Sequence, residues 1–272
     1  MKLGIFVHPK RPKIPLDKIV KRIKSVGESH SKEDPDIAVV VGGDGTFGYY
    51  GRTLSIPLLF VGVREFGVVG SRARLAEIFY DDLGRALDDI KAGRYSVIEK
   101  KMLSAHMRKH SVDILTDVYL ERGKFAGCLR YTTLVKASGH SKFSQFSDYA
   151  IGNGVIISTS FGAGGYFSYP DRLRTGEWGR IGPSGFADDH IGMCHIIPTY
   201  LVRRRKGRTY RTRKIRYTVP LCSTVQIKLL RDADARLYGT TVYSKGVPVR
   251  LGDTITVTPT KRTAKIIKLR NS

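Results

Sequence analysis

Acidic residues are scarce in this sequence: 24 Asp and Glu face 47 Lys and Arg along 272 residues, leaving a formal net charge of +23. A field of that sign disfavours cationic partners and draws in anions, from nucleotides to RNA, without dictating a fold; it also serves plain solubility. Cysteine is nearly missing. Cys128, Cys194 and Cys222 lie far apart with no CxxC, which excludes a disulfide framework and a cysteine zinc site, so all three read as core residues. No apolar run reaches the roughly 18 to 20 residues that span a bilayer. Residues 1–7 read as a short strand rather than a basic, apolar leader, so a cytoplasmic location with no membrane partner is expected. Internal repeats and low-complexity tracts are absent as well, which excludes solenoids. The seven histidines form no pair at metal-ligand spacing.

What is present is 41% apolar residues, enough for a real core in one large domain or two ordinary ones. The first third alternates strand and helix. Residues 3–7 are apolar, Leu16, Ile19, Val20 and Ile23 follow at helical spacing, and 37–41 form a continuous buried-type run. Residues 57–61 read as another buried strand. Leu83, Ala86, Leu87 and Ile90 give a second amphipathic helix, ended by Gly93. From Tyr95 onward short β-type segments take over, among them 112–120, 129–135, 155–157, 225–229, 247–250, 254–258 and 265–269. The expected architecture is an α/β domain with a Rossmann-like parallel sheet over residues 1–97, then an all-β domain, a sandwich, over 98–272. The C-terminal strand is a candidate to return to the first domain.

The run 37–41 delivers the chain into Gly42-Gly43-Asp44-Gly45-Thr46. Glycines there permit positive φ and let backbone amides approach phosphate oxygens with no Cβ between, the chemistry of an anion-binding nest. Ligands on open α/β sheets bind beyond the carboxyl ends of strands, where this turn lies. A carboxylate at Asp44 would repel phosphate unless it binds Mg²⁺ or takes a proton from an attacking hydroxyl, and either use implies phosphoryl transfer. The bland reading is a tight turn whose Asp44 caps the next helix. The spacing matches neither GxxxxGK[ST] nor GxGxxG.

Gly-Gly-Asp-Gly-Thr after an apolar strand resembles the signature shared by NAD kinases, diacylglycerol and sphingosine kinases and, more distantly, phosphofructokinases. Further segments are similar to the NAD kinase branch in a diverged, archaeal-type form. Residues 60–70 are similar to its GxNxGxxGFL segment, with Arg64 at the asparagine. Residues 153–166 resemble its DGxxxSTPTGSTAY block, with Ser158, Thr159, Gly162 and Tyr166 in register, and 115–118 stand where the family has LNE or LND. The resemblance implies that Gly42, Gly43, Gly45 and Thr46 cradle the phosphates of ATP, with Asp44 as the catalytic acid and the Mg²⁺-linked residue. It implies an acceptor site for NAD at Thr116, Asp117, Asn153, Ser158, Gly162 and Tyr166, and it implies self-association into a homo-oligomer. Departures concentrate on the acceptor side: Thr116 for asparagine, Asn153 for aspartate, Ala163 and Gly164 for Ser-Thr, and Tyr238-Gly239-Thr240 for a DGQ-like segment. The acceptor is therefore NAD or a related hydroxyl compound, or the fold binds without turnover.

The densest charge is Arg203-Arg204-Arg205-Lys206-Gly207-Arg208, continuing through Arg211, Arg213, Lys214 and Arg216 with Tyr210 and Tyr217 among them. Such a segment can neutralise a phosphate backbone while tyrosines stack on bases, so the alternative expectation is a basic RNA- or ribosome-associated protein on a catalytically eroded NAD kinase-like fold. A solvated hairpin face, or arginines that hold a phosphorylated small substrate, would use the same residues. Trp178, in a Gly-rich loop, reads as packing or as a cover over a ligand.

Overall fold

The computed structural model describes residues 1–27, 29–31, 33–64, 73–125, 127–137, 144–172, 185–239 and 246–270. The second half of the GxNxGxxGFL-like segment, Trp178 and Thr240 lie outside them. Two compact units are present, one formed by Met1–Lys100 with Thr263–Ser272 and the other by Lys101–Arg262.

In the first unit β1 (Lys2–Val7), α1 (Leu16–Ser25), β2 (Ser29–His30), β3 (Ile37–Gly42), α2 (Asp44–Thr53), β4 (Leu58–Gly62), β5 (Ile78–Phe79) and α3 (Leu83–Lys91) follow one another. The strands pair in parallel in the order β2-β1-β3-β4, with β5 on the end of β4. Strand β3 is buried along its whole length, which is why its sequence is continuously apolar instead of alternating. Ile37, Val39 and Val41 pack with Ile19 and Ile23 of α1 and with Leu87 and Ile90 of α3. On the other face Phe60 stacks on Phe47 of α2, 4.7 Å and 6° apart. Helices thus cover both faces of the sheet, as a parallel sheet requires. Helix α3 stops before Gly93, whose φ of 71° suits glycine.

The chain passes into the second unit along β6 (Tyr95–Met107) and continues as β7 (His110–Ile114), β8 (Asp117–Arg122), β9 (Leu129–Ala137), β10 (Phe146–Gly152), β11 (Gly154–Ser158) and β12 (His190–Ile196). Then come β13 (Tyr200–Arg205), β14 (Arg208–Arg211), β15 (Arg216–Pro220), β16 (Ser223–Leu229), β17 (Ala235–Tyr238), β18 (Val247–Val249) and β19 (Thr254–Leu269). Two antiparallel sheets result, β14-β13-β10-β9-β16-β19 and β15-β12-β11-β8-β17-β18. Their inner faces share one core, with Tyr131, Val135 and Val225 from the first and Val118, Val155 and Met193 from the second. The end of β19 belongs to the first unit, where Ile266 pairs in parallel with Leu58 and Glu77 accepts a hydrogen bond from the Leu269 N–H at 2.9 Å.

Three expectations are corrected. The stretch 112–120 is not one strand: it breaks between β7 and β8, where the carbonyls of Leu115 and Thr116 accept hydrogen bonds from Thr159 instead of a ladder partner. Residues 254–258 and 265–269 belong to a single strand, β19. Of the cysteines only Cys194 is buried; Cys222 is exposed because it sits in the turn from β15 to β16.

The core of the second unit holds a charged cluster that links the two sheets. Asp148, 0% exposed, accepts hydrogen bonds from Arg203 at 2.7 and 2.8 Å and from the Tyr217 hydroxyl at 2.6 Å, and it faces His195 Nε2 at 3.1 Å. The Arg203 guanidinium also lies 4.2 Å from each of the Phe146 and Tyr217 rings. Burial alone would raise the Asp148 carboxyl, but the hydrogen bonds from Arg203 and His195 overcome it and hold the group below the ordinary carboxylate range. A carboxyl lowered in this way adds stability above its unfolded value of about 4, and that stability is lost as pH falls through the folded value. Asp148→Ala leaves the Arg203 charge unpaired in the interior and is expected to cost about 3 to 5 kcal/mol in urea unfolding. In Asp148→Asn the fall in Tm with acidification below about pH 4 should be shallower than in the parent protein.

Candidate functional site

Strand β3 ends at Gly42 and α2 begins at Asp44, so Gly43 alone forms the junction, with extended backbone (φ −115°, ψ 179°). None of Gly42, Gly43 and Gly45 adopts positive φ, which corrects the expectation drawn from glycine's freedom in turns. Their smallness serves approach instead. A Cβ on Gly42 would stand 2.9 Å from Thr46 Oγ1, so the buried Thr46 packs directly on the strand. A Cβ on Gly45 would meet nothing within 4 Å, and Gly45 is exposed. The Thr46 and Phe47 N–H groups both donate to Gly43 O, at 2.9 and 3.1 Å, while the N–H groups ahead of them are ones for which a helix start offers no intrahelical carbonyl.

Asp44 is the first residue of α2, and its Oδ1 accepts a hydrogen bond from the Leu75 N–H at 3.0 Å. Gly42 and Gly62 are register partners at the carboxyl ends of β3 and β4. Arg64, two residues past Gly62, is exposed and holds its guanidinium 4.6 Å from the Phe79 ring. Arg64 therefore leaves the same edge of the sheet as Asp44, a cation that the sequence registered only as a missing asparagine.

In the second unit, Ser158 ends β11 and pairs with Asp117 at the start of β8. The Thr159 N–H donates to Thr116 O at 2.8 Å, its hydroxyl donates to Leu115 O, and Gly162 N–H donates to Thr159 Oγ1 at 3.0 Å. The Ser158 hydroxyl, fully buried, donates to Thr159 O at 2.9 Å. A Cβ on Gly162 would fall 2.3 Å from Thr116 O. These bonds press the turn 158–165 onto 115–117, so Thr116, Asp117, Ser158 and Gly162 come together as expected partners, with the Ser158 hydroxyl spent on holding the turn. Asn153 does not join them. It precedes β11, about 16 Å along the strand from Ser158.

Tyr166 sits at the start of the turn Tyr166–Arg172 and donates its hydroxyl to Glu121 at 3.2 Å. Its ring meets Tyr119 edge-on at 5.1 Å, and Tyr119 stacks on Tyr238 at 5.3 Å. Burial, then the nearby Asp117 and Glu121 charges, push the Tyr119 hydroxyl up to about 12. Burial also raises the Glu121 carboxyl. Tyr119 and Glu121 escaped the sequence reading, and Tyr238 entered it only within the DGQ-like segment; the alternation of Asp117, Tyr119 and Glu121 along β8 was the signal that places those three on one face. Arg216, 2% exposed, pairs with Asp171 at 2.8 Å and so ties this aromatic segment to β15.

The basic segment divides. Arg203 is committed to Asp148 and Tyr217 is buried beside it, so neither is offered to a ligand. Arg204, Arg205, Lys206, Arg208, Arg211 and Arg213 are exposed, on or just after a hairpin turned by Lys206 and Gly207 at φ 49° and 76°. Among the described residues no helix is long and apolar enough to cross a membrane.

The fold and the glycine turn together define a class: an α/β unit whose parallel strands end in a strand-to-helix glycine junction, followed by an antiparallel β-sandwich. Among known proteins this chain resembles the NAD kinases. It is 30% identical over 159 residues to the NAD kinase of Clostridium beijerinckii, covering 53% of this chain and 51% of that protein. The match thus spans about half the length of that relative. To the NAD kinase of Geobacter sp. strain M21 it is 26% identical over 268 residues, 94% of this chain and 81% of the relative. In structure it matches yeast NADH kinase complexed with NADH, with a TM-score of 0.64 at 16% identity over 100% of this chain and 84% of that one. It also matches the Archaeoglobus fulgidus NAD kinase in complex with ATP, with a TM-score of 0.60 at 16% identity over 100% of this chain and 94% of that one. No protein-family model matches the chain.

Gly162→Ala drives a methyl into the Thr116 carbonyl, so the turn must shift. An unfolding midpoint lowered by the equivalent of about 1 to 3 kcal/mol is expected, with a changed near-ultraviolet tyrosine signal from the Tyr119–Tyr166 contact.

Proposed function

We propose that the protein is an ATP-dependent kinase of the NAD kinase type, which moves the γ-phosphoryl group of ATP to a hydroxyl of NAD or a related dinucleotide. One observation carries this reading: in a chain whose relatives are NAD kinases, a buried strand runs through Gly43 into the N-terminus of α2 with a carboxylate as its first residue. Helix N-termini favour phosphate through free N–H groups and the macrodipole. The open side of Gly45 allows the close approach that such binding needs.

Asp44 then accepts the proton of the acceptor hydroxyl as its oxygen attacks the γ-phosphorus and ADP leaves. The Leu75 amide fixes Oδ1 at 3.0 Å, and Oδ2 is the oxygen that would take the proton. No group of three His, Cys, Asp or Glu side chains able to hold a metal occurs among the described residues. Mg²⁺ would be held by Asp44 together with phosphate oxygens and water, and would supply neutralising charge there. Arg64 adds a cation to the phosphate side, in the place of the family's asparagine. On the acceptor side Asp117 is the residue for ribose hydroxyls, with the rings of Tyr119, Tyr166 and Tyr238 as its apolar surround and Ser158 and Gly162 as positioning residues.

Purified protein supplied with ATP, Mg²⁺ and NAD should form NADP, and Asp44→Asn should lower kcat by about 100- to 10,000-fold with an unchanged unfolding midpoint. Absence of NADP from the parent protein would remove NAD as the acceptor. Gly45→Ala separates fold from site: a helical Gly→Ala change raises stability by up to about 1 kcal/mol, while the added methyl should weaken ATP binding measured by calorimetry. Unaltered ATP affinity in that variant would contradict the phosphate assignment.

A further inference from the structure

Side chains alternate across a strand, so the sheet β14-β13-β10-β9-β16-β19 has one face in the core and one facing out. Asp148 is the one acid in these strands before the chain leaves the second unit, and it points into the core. The outward set follows from the registers: Tyr149 is paired with Val202 and Thr132, Ser147 with Arg204, Val202 with Arg211, and Thr132 with Lys228. Arg130 and Lys136 of β9, Arg204 of β13, Arg211 of β14 and Lys228 of β16 are exposed on that face. No Asp or Glu stands among them in the described strands.

Aromatic rings interrupt the charge. Tyr149 and Tyr200 lie edge to face at 6.0 Å, Tyr200 is 40% exposed, and the Arg211 guanidinium stands 5.5 Å from the Tyr200 ring. The hydroxyls of Thr132, Ser147 and Thr209 share the face with them. From β14 to β16 the surface extends about 19 Å at the usual strand spacing.

We propose that this outward sheet face is a docking surface for single-stranded RNA. Cations spread over several strands neutralise successive phosphates, and tyrosines take unpaired bases on their faces. A duplex would offer the rings no unstacked base, and the interleaved hydroxyls give partners to 2′-OH groups that DNA lacks. A second copy of the chain is a poor occupant, because it would set cation against cation. Of the strongly basic stretch in the sequence, Arg204 and Arg211 contribute to this face, while Arg203 is turned inward to Asp148.

The test is fluorescence anisotropy of a labelled uridine 15-mer titrated with the full chain from 50 to 200 mM salt. Binding should weaken steeply with salt. The Arg204→Ala, Arg211→Ala, Lys228→Ala triple variant should flatten the log–log slope by about 2, at about 0.7 per phosphate contact. Tyr149→Ala with Tyr200→Ala should weaken binding at fixed salt by about 10-fold or more with the slope unchanged. The deoxythymidine 15-mer, an RNA duplex and phosphatidylserine vesicles should each bind more weakly than the uridine strand. Unfolding midpoints of these exposed-site variants should match the parent. No binding at 50 mM salt overturns the proposal, as does any competitor that binds as tightly as the uridine strand. So does loss of binding on substituting Arg205, Lys206 and Arg208 at the hairpin tip while the face variants bind normally.

Discussion

The neighbouring strands β3 and β4 both end without a Cβ atom, and the candidate phosphate site depends on that. Gly42 and Gly62 face each other in register at the ends of β3 and β4. A Cβ on the first would stand 2.9 Å from the Thr46 hydroxyl, and one on the second 2.9 Å from the Ala73 methyl. With both absent, α2 starts directly off the strand and the segment carrying Leu75 crosses close enough for its amide to reach Asp44. Larger residues at either position would push the helix or the crossing segment away, and the Asp44 carboxylate would lose its fixed orientation.

Much of this edge was legible in the sequence. A strand buried on both faces must be continuously apolar, and three glycines with an aspartate after such a run is a rare composition with few chemical uses. The reason for the glycines was not legible. Freedom in φ is a property of one residue, whereas their actual role, contact between Gly42 and Thr46 and between Gly62 and Ala73, is set by where the backbone goes. The same limit explains the β unit. The break at Leu115 and Thr116 arises from the Thr159 hydroxyl far along the chain, and the inward turn of Arg203 arises from Asp148 on the adjacent strand. Neither partner stands near in sequence. Asn153 belonged to the right motif but lies at the far end of its strand, which a motif's order cannot reveal.

The net charge of +23 separates into two uses. Inside the β unit Arg203 and Arg216 are structural: each is paired with a carboxylate, and each is set near an aromatic ring. Arg203 helps the Asp148 cluster fasten one sheet to the other, and Arg216 fastens the Tyr166–Arg172 turn to β15. On the outward face of the neighbouring strands, one residue out of phase, the cations have no acid beside them in the described strands. Strand alternation thus lets one run of arginines serve packing and remain available to an anion.

The most direct measurement of the central claim is a crystal structure with a non-hydrolysable ATP analogue, Mg²⁺ and NAD. Phosphate oxygens should lie within about 3 Å of backbone N–H groups at residues 43–45, with the Arg64 guanidinium turned toward them. Phosphates bound elsewhere, with Gly45 left open and Asp44 still joined to Leu75, would contradict the assignment of the glycine junction as the nucleotide site.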